Sequence, residues 1–199
     1  MTEIPKWLIS DQTITNSFQK LSIDRGSGFQ NIIFFFIIVV SIPVAFLLSN
    51  IRLAIYKIKY GSVYKELNCK DFLIGNDYDT DYFYPKKILD NNGKSFEQFN
   101  QFDPSNFFNR DIGFFYYQKI LIEACKDLLK ITRVAGLNSK FLIFISSLRN
   151  IVFYVIYRAF FKFHKKKGVT DIHLVSMPLN FMCAIEKEGL NCNVYLHGL

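Results

Sequence analysis

The feature that most constrains this chain is a run of seventeen residues, Ile32 to Leu48, that carries no charge. It reads IIFFFIIVVSIPVAFLL, and Ser41 is its most polar member. A helix needs roughly 20 apolar residues to cross a hydrocarbon core about 30 Å thick, and Phe29 and Ile51 extend the run at either end. The run therefore predicts a membrane helix. The alternative is a buried core helix, although a soluble helix normally keeps a polar face.

The basic residues beside the run predict its orientation. Those within about 20 residues of it are Lys20 and Arg25 on the amino side and Arg52, Lys57, Lys59 and Lys65 on the carboxyl side. Because cytoplasmic flanks carry the excess of Lys and Arg, this distribution places the carboxyl-terminal part in the cytoplasm. We predict a single-pass membrane protein with a polar leader (residues 1–28), a membrane helix with its juxtamembrane extension (29–60) and a cytoplasmic α/β domain (61–199).

Composition limits the partners of such a domain. Half of the 199 residues are hydrophobic and 22 are Phe, which excludes a disordered chain. The net charge of +7 suits an anionic surface, and we expect that surface to be the lipid bilayer. No zinc-ligand spacing, helix-turn-helix pattern or RNA-binding aromatic strand indicates a nucleic acid. The four cysteines form no C-x-x-C pair, which predicts reduced, buried thiols.

Two helices are predicted in the middle of the chain. Residues Gly113 to Val134 place apolar side chains at helical spacing, with charged side chains facing away. The next helix, from about Ser139 to Lys167, is more apolar, but Arg149 and Arg158 within it argue against a second membrane span. We expect this helix to lie against the domain or along the bilayer surface.

The second of these helices ends in a cluster of basic residues. The candidate membrane-surface residues are Arg158, Lys162, Lys165, Lys166 and Lys167, and Gly168 follows them as the predicted helix end. Adhesion to anionic headgroups contributes about 1 kcal/mol per basic residue near the surface. The alternative is a solvated helix end, where the helix dipole favours positive charge.

A small β element is predicted before these helices. Phe72, Leu73 and Ile74 suit a short buried strand. The Asn92-Gly93 pair stands between KKILD and KSFEQF, and Asn-Gly is typical of the two-residue turn in a β-hairpin. The sequence therefore predicts a type I′ hairpin at this pair.

The last thirty residues have the pattern of a βαβ unit. DIHLVSM reads as a strand, PLNFMCAIEKEG as a short helix and NCNVYLHGL as a second, parallel strand. Ligands of such sheets bind beyond the carboxyl ends of the strands. Met177 and Pro178 follow the first strand and His197 and Gly198 follow the second, so these four residues form the candidate ligand edge. His173, inside the first strand, is assigned no chemistry.

This layout resembles the N-terminal half of bacterial surface and capsular polysaccharide glycosyltransferases. The likeness rests on the amphipathic helix, the basic helix end, the strand, the helix AIEKEGLN, the strand that ends in His197-Gly198 and the preceding stretch KKILDNNGKSFEQFNQFDPSNFF. It covers Asp71 to Leu199. In that family the comparable strand runs into Gln-His-Gly at the cleft between two Rossmann-like domains, whereas here Leu196 stands in place of the glutamine.

The resemblance implies an incomplete Rossmann-like α/β domain, the acceptor-side portion of a membrane-associated glycosyltransferase of surface polysaccharide synthesis. It makes His197 the candidate acid/base or substrate-orienting residue, and Gly198, Met177 and Pro178 candidates for substrate binding. The implied partners are a nucleotide sugar and a glycan or lipid-linked acceptor. Because the family continues beyond the position of Leu199, we expect a truncated chain that is inactive alone. The alternative is a non-catalytic single-pass membrane interaction protein, since no complete catalytic constellation is present.

We expect neither a metal nor a cofactor. The acidic segment NDYDTD, residues 76–81, begins like a calcium loop, but Tyr82 and Ile88 stand where that loop needs glycine and glutamate. Its Asp79-Thr80-Asp81 is similar to the metal-binding Asp-x-Asp of another glycosyltransferase class. A solvated acidic turn is the preferred interpretation of these residues.

Overall fold

A computed structural model of the chain describes residues 6–9, 28–60, 69–75, 79–100, 106–108, 112–133, 137–175 and 179–195. The α-helices are α1 (Gly28–Tyr60), α2 (Asp79–Asn91), α3 (Phe114–Leu128), α4 (Leu137–Lys166) and α5 (Leu179–Glu188). The strands are β1 (Asp71–Gly75), β2 (Phe96–Asn100), β3 (Asp171–Val175) and β4 (Asn191–Tyr195). Two compact units result: Met1–Ile55 with Phe114–Val155, and Tyr56–Gly113 with Ile156–Leu199.

The first unit is helical where the structure describes it. α1 turns one stripe of side chains inward at helical spacing, and its buried members are Phe34, Ile38, Ala45, Ser49 and Leu53. α3 likewise buries one face, made by Tyr117, Ile120, Leu121, Ala124, Cys125 and Leu128. A 3-10 turn, Leu129–Arg133, continues α3. The amphipathic helix predicted from Gly113 to Val134 is therefore confirmed.

Trp7 fixes a short amino-terminal 3-10 turn, Lys6–Ile9, within the first unit. Its ring stacks on that of Tyr154 with a centroid distance of 4.4 Å. Its indole Nε1 donates a hydrogen bond of 3.1 Å to Oδ2 of Asp127. Trp7 is 2% exposed, so this residue of the polar leader belongs to a packed core.

The outer side of α1 is apolar and exposed. In the described part of the chain, α1 is the one helix long and apolar enough to cross a membrane. Its exposed large side chains are Phe29, Ile32, Ile33, Phe35, Phe36, Ile37, Val39, Val40, Val44, Leu47, Leu48, Ile51, Ile55 and Ile58. The predicted run from Ile32 to Leu48 is thus helical, with most of its surface facing outward.

The second unit contains a parallel four-stranded sheet in the order β2-β1-β3-β4. The two strands on either side of the centre, β1 and β3, are the most buried. β4 is exposed along most of its length and forms one edge of the described sheet. The predicted βαβ unit is confirmed: β3, α5 and β4 follow one another, and the two strands are parallel.

Helices pack on both faces of the sheet because successive strand residues point to opposite sides. On one face Leu73 and Val175 pack against Tyr82 and Leu89 of α2. On the other face, the ring of Phe72 in β1 lies edge-on to His164 of α4 at a centroid distance of 5.0 Å, and tilted against Phe160 of the same helix at 5.7 Å. The chain is therefore an α/β protein whose sheet is covered by helices on each side.

Glycines end three of the helices around this sheet. Gly93, Gly168 and Gly189 have φ of 63°, 99° and 65°, a backbone conformation that glycine adopts without strain. In each case the glycine and the next residue donate backbone hydrogen bonds to the last helical turn, as in the Schellman motif. The ends predicted at Gly168 and Gly189 are confirmed.

The hairpin predicted at Asn92-Gly93 is wrong. KKILD belongs to α2, and Gly93 ends that helix instead of joining two antiparallel strands. β1 and β2 are parallel, so the chain between them must cross over the sheet, and α2 makes this crossover. An Asn-Gly pair supplies the same left-handed backbone to a hairpin turn and to a helix end, which explains the error.

Candidate functional site

The predicted ligand edge lies where β3 and β4 end. β3 ends at Val175 and β4 at Tyr195. Met177 and Pro178, and likewise His197 and Gly198, lie outside the described residues. Their assignment to a ligand site therefore stays a prediction, and the residues just before them define the geometry of this edge.

Gly75 and Tyr82 pack tightly at the same edge. A Cβ atom on Gly75, the last residue of β1, would lie 3.0 Å from Cε1 of Tyr82 and 3.3 Å from Cβ of Val175. The Tyr82 hydroxyl donates a hydrogen bond of 3.0 Å to the carbonyl of Phe99. The ring of Tyr82 thus closes over the carboxyl end of β1, and glycine is the residue that leaves room for it.

We expect Gly75→Ala to lower the free energy of unfolding by about 1 to 3 kcal/mol, the usual cost of an extra methyl group in a packed site. Gly113→Ala is the matched control, because a Cβ there meets no atom within 4 Å. Chemical denaturation in detergent measures both values. Equal stability of the two variants would contradict the packing described for Tyr82.

A chain of polar side chains crosses one face of the sheet, and we call it the polar relay: Lys94, Asp71, His173 and Tyr195. Oδ1 of Asp71 accepts a hydrogen bond of 2.9 Å from Nζ of Lys94 and lies 3.0 Å from Nε2 of His173. Nδ1 of His173 lies 3.0 Å from the hydroxyl of Tyr195. The relay thereby connects β1, β3 and β4 through side chains.

Protonation in the polar relay follows from its partners. Because the Asp71 carboxylate only accepts hydrogen bonds, Nε2 of His173 donates to it. The hydrogen bond to Asp71 raises the pKa of Lys94, which keeps its ammonium charged. Burial raises the pKa of Tyr195, which keeps its phenol neutral. The relay therefore joins the Lys94–Asp71 ion pair to an imidazole and a phenol.

The inner part of the relay is shielded from water, whereas its outer cation is not. The side chains of Asp71 and His173 are 8% and 4% exposed, and that of Lys94 is 40% exposed. Removing a charged acceptor from a buried hydrogen bond costs more than removing an exposed cation. Asp71 is therefore the residue on which the relay depends.

We expect Asp71→Asn to lower the free energy of unfolding by about 1.5 to 3 kcal/mol, since a buried charged hydrogen-bond acceptor is lost. Lys94→Met should cost less than about 1 kcal/mol, as exposed ion pairs do. Urea denaturation near neutral pH compares the two. If Lys94→Met lowers the free energy of unfolding more than Asp71→Asn does, the relay does not depend chiefly on Asp71.

The relay contacts the last residue of β4. Tyr195 is the last residue of β4 and directly precedes Leu196, His197 and Gly198. At the other end of β4, Asn191 donates a hydrogen bond of 3.1 Å to Oδ1 of Asp171. β4 is thus held to β3 by side chains at both ends. The contact of His173 with Tyr195 is one of these two connections.

Sequence reasoning missed the polar relay. His173 was assigned no chemistry, and Asp71 and Lys94 were not singled out as functional candidates. The available signal was an acid or imidazole among apolar residues in two strands, DFLIG and DIHLV, both of which the structure buries. Their contact depends on the register, which pairs Leu73 with His173 and places Asp71 diagonally across.

The basic helix end divides into two groups. Arg158 is buried, and its Nε donates a hydrogen bond of 2.7 Å to Oε1 of Glu188. Lys165 is exposed, but its Nζ donates to the carbonyls of Glu188 and Gly189 at 2.7 and 3.0 Å. These two residues join α4 to the end of α5. Arg158 is therefore buried in an ion pair, whereas the sequence predicted an accessible cation.

The other predicted membrane-surface residues are more accessible. Lys166 and Lys167 are exposed and Lys162 is half-buried. Nζ of Lys167 lies 5.7 Å from the ring centroid of Phe163. These three lysines keep positive charge at the carboxyl end of α4, where both the helix dipole and anionic headgroups favour it.

The acidic residues of NDYDTD, interpreted from the sequence as a solvated turn, lead into α2. Asp79 and Asp81 lie in the first turn of that helix, but their side chains are outside the described residues. Among the side chains that the structure describes, no group of three His, Cys, Asp or Glu residues is arranged to hold a metal ion.

Comparison of the chain with family models, with curated proteins and with solved structures finds no match.

Proposed function

We propose that α1 crosses a lipid bilayer once. The helix has 33 residues and is about 50 Å long at 1.5 Å per residue, more than a hydrocarbon core requires. Only 22% of its most apolar stretch of 18 residues is buried. Packing within the protein therefore leaves most of this surface uncovered. An apolar surface of this extent needs a lipid or protein cover, and acyl chains provide one along the whole length.

The second unit lies on the cytoplasmic side in this proposal. The basic residues after the apolar run, Arg52, Lys57 and Lys59, belong to the last turns of α1, and Lys59 is exposed. Cytoplasmic flanks carry such an excess of positive charge. Cys192 of β4 is exposed, although the sequence predicted a buried thiol. If an impermeant maleimide labels Cys192 in intact cells, the orientation is the reverse of the one proposed.

We propose that the sheet unit is the acceptor-side portion of a membrane-associated glycosyltransferase of surface polysaccharide synthesis. The strand order β2-β1-β3-β4 carries the proposal. From β1 the chain goes to one side through α2 and later returns to the other side at β3. In open α/β sheets, ligands bind in the crevice where the strand order reverses, beyond the carboxyl ends of the strands. That crevice lies beside Gly75 and Val175.

The proposal gives each predicted site residue a role. Met177 and Pro178 follow β3 and form one wall for the acceptor. His197 and Gly198 follow β4, and His197 acts as an acid/base or orients the acceptor hydroxyl. The polar relay supports this arrangement, because it ties Tyr195 to the sheet two residues before His197. The donor is a nucleotide sugar, and the acceptor is a glycan or a lipid-linked glycan.

Transfer of labelled sugar tests this function. Membranes that contain the protein, expressed from its whole coding region, receive nucleotide sugars, and both hydrolysis and transfer to extractable glycan are measured. We expect transfer that His197→Ala abolishes and that exposed Lys86→Gln leaves unchanged. If neither hydrolysis nor transfer is detected, the enzyme proposal is wrong.

The same result would favour a non-catalytic membrane interaction protein. β4 supports this second candidate, since an exposed edge strand can pair with a strand of another protein. Val194 on this strand is 41% exposed. Pairing at β4 predicts protection of its backbone amides from hydrogen exchange when the partner is present.

A further inference from the structure

A cleft lies beside α1 within the first unit. Its volume is about 460 Å³. Val40, Val44 and Leu48 of α1 line it together with Leu148 of α4, and Arg52 stands at its carboxyl end. The cleft is therefore apolar along its length and carries a cation at one end.

The dimensions of the cleft fit one leaflet of a bilayer. From Val40 to Arg52 the helix advances twelve residues, or about 18 Å. Half of a hydrocarbon core measures about 15 Å. Since Leu48 is the last residue of the charge-free run, the apolar wall lies at the depth of acyl chains and Arg52 at the level of the headgroups.

The polar atoms of the cleft are compatible with an apolar chain. Ser41 donates its hydroxyl proton to the carbonyl of Ile37 at 2.6 Å, which satisfies this donor within the helix. Ser49 is 4% exposed and belongs to the inward stripe of α1. The wall therefore presents methyl and methylene groups, and a bound chain would not desolvate an unpaired donor from Ser41.

Arg52 supplies the recognition of charge. It is exposed at the end of the cleft, and a planar guanidinium binds phosphate oxygens in a bidentate manner. A net anionic headgroup gains this attraction, whereas in a zwitterionic headgroup an attached cation opposes it. An apolar helix of another protein would cover the apolar wall but would not offer an anion to the guanidinium.

We propose that the cleft binds one anionic glycerophospholipid, with an acyl chain along Val40, Val44, Leu48 and Leu148 and its phosphate on Arg52. This inference rests on the membrane placement of α1 proposed above. It adds a specific lipid site to a helix that would otherwise contact lipid without selection.

Native mass spectrometry tests the site with the full chain reconstituted in vesicles of equal phosphatidylglycerol and phosphatidylcholine. After flotation and mild detergent release, we expect one retained lipid, predominantly phosphatidylglycerol. Arg52→Gln should reduce the ratio of retained phosphatidylglycerol to phosphatidylcholine about fivefold, which corresponds to about 1 kcal/mol for one basic residue at the surface. Val44→Trp should abolish retention of both lipids by filling the cleft.

Lys59→Gln is the matched control, because Lys59 is an exposed cation on the same helix outside the cleft. Its retained-lipid ratio should equal that of the wild type. An equal loss in Lys59→Gln and Arg52→Gln, or no preference in the wild type, overturns the lipid site. A dimer that persists at every lipid concentration shows that a second copy occupies the cleft instead. A chain that does not float with vesicles overturns the membrane placement itself.

Discussion

Replacing Glu188 with alanine is expected to lower the free energy of unfolding by about 3 to 5 kcal/mol, because a buried arginine then loses its carboxylate. The side chains of Arg158 and Glu188 are 5% and 8% exposed, and their ion pair measures 2.7 Å. The pair joins α4 to α5. Thermal or chemical denaturation in detergent measures the loss.

The double variant Arg158→Met with Glu188→Leu is the control for this prediction. Apolar residues of similar volume replace a buried ion pair at little cost in many proteins, whereas a single removal leaves an uncompensated charge. We therefore expect the double variant to be more stable than Glu188→Ala. A double variant that is the less stable of the two would mean that the ion pair itself contributes the stability.

Acidification from pH 6.5 towards pH 4 is expected to cost about 3 kcal/mol of stability through His164 alone. This residue is 2% exposed and packs against the rings of Phe72 and Phe160. Burial, and secondarily the charge of Lys167, lowers the pKa of His164 to about 4. Between the two pKa values the unfolded chain binds the extra proton. Stability is therefore complete above pH 6.5 and falls as the pH decreases.

The difference between the wild type and His164→Phe isolates this effect from other titrating groups. The variant keeps a ring of similar size in an aromatic site and cannot be protonated. Unfolding free energies from pH 7 to pH 4.5 should diverge, with the wild type losing more. Parallel pH profiles would mean that His164 binds its proton equally well in the folded and the unfolded chain, and would contradict the lowered pKa. Lys167→Ala should reduce the slope slightly, since it removes the weaker of the two causes.

Local patterns predicted α1, α3, α4 and the last βαβ unit because their causes are local. The apolar face of α3 follows from a period of 3.6 residues. Gly168 and Gly189 end helices since each supplies the left-handed backbone that the Schellman motif requires. The strand before Met177 and the parallel pairing of β3 with β4 follow from the short helix between them.

Contacts between distant segments were outside the reach of such patterns. Asp71 and His173 are 102 residues apart, and their hydrogen bond depends on the order of the strands and on the register. Arg158 shows the same limit. From its charge we predicted that α4 does not span the membrane and that Arg158 lies at the membrane surface. The partner that allows its burial, Glu188, comes 30 residues later on another helix.

The hairpin predicted at Asn92-Gly93 was wrong for a different reason. The local conformation of Gly93 was predicted correctly, with a positive φ of 63°. The context was wrong, since the preceding residues form α2 and not a strand. Pro85 and the polar residues of that segment are not typical of a helix interior. The segment nevertheless forms a helix that buries Tyr82 and Leu89 against the sheet.

Alkaline carbonate extraction of membranes tests the central claim, the bilayer placement of α1, most directly. The treatment releases peripheral proteins and leaves spanning helices in the membrane pellet. Because α1 exposes apolar side chains from Phe29 to Ile58, we predict that the full chain stays in the pellet at high pH. Recovery of the chain in the carbonate supernatant as a folded protein would contradict the account, since that apolar surface would then be covered by protein and not by lipid.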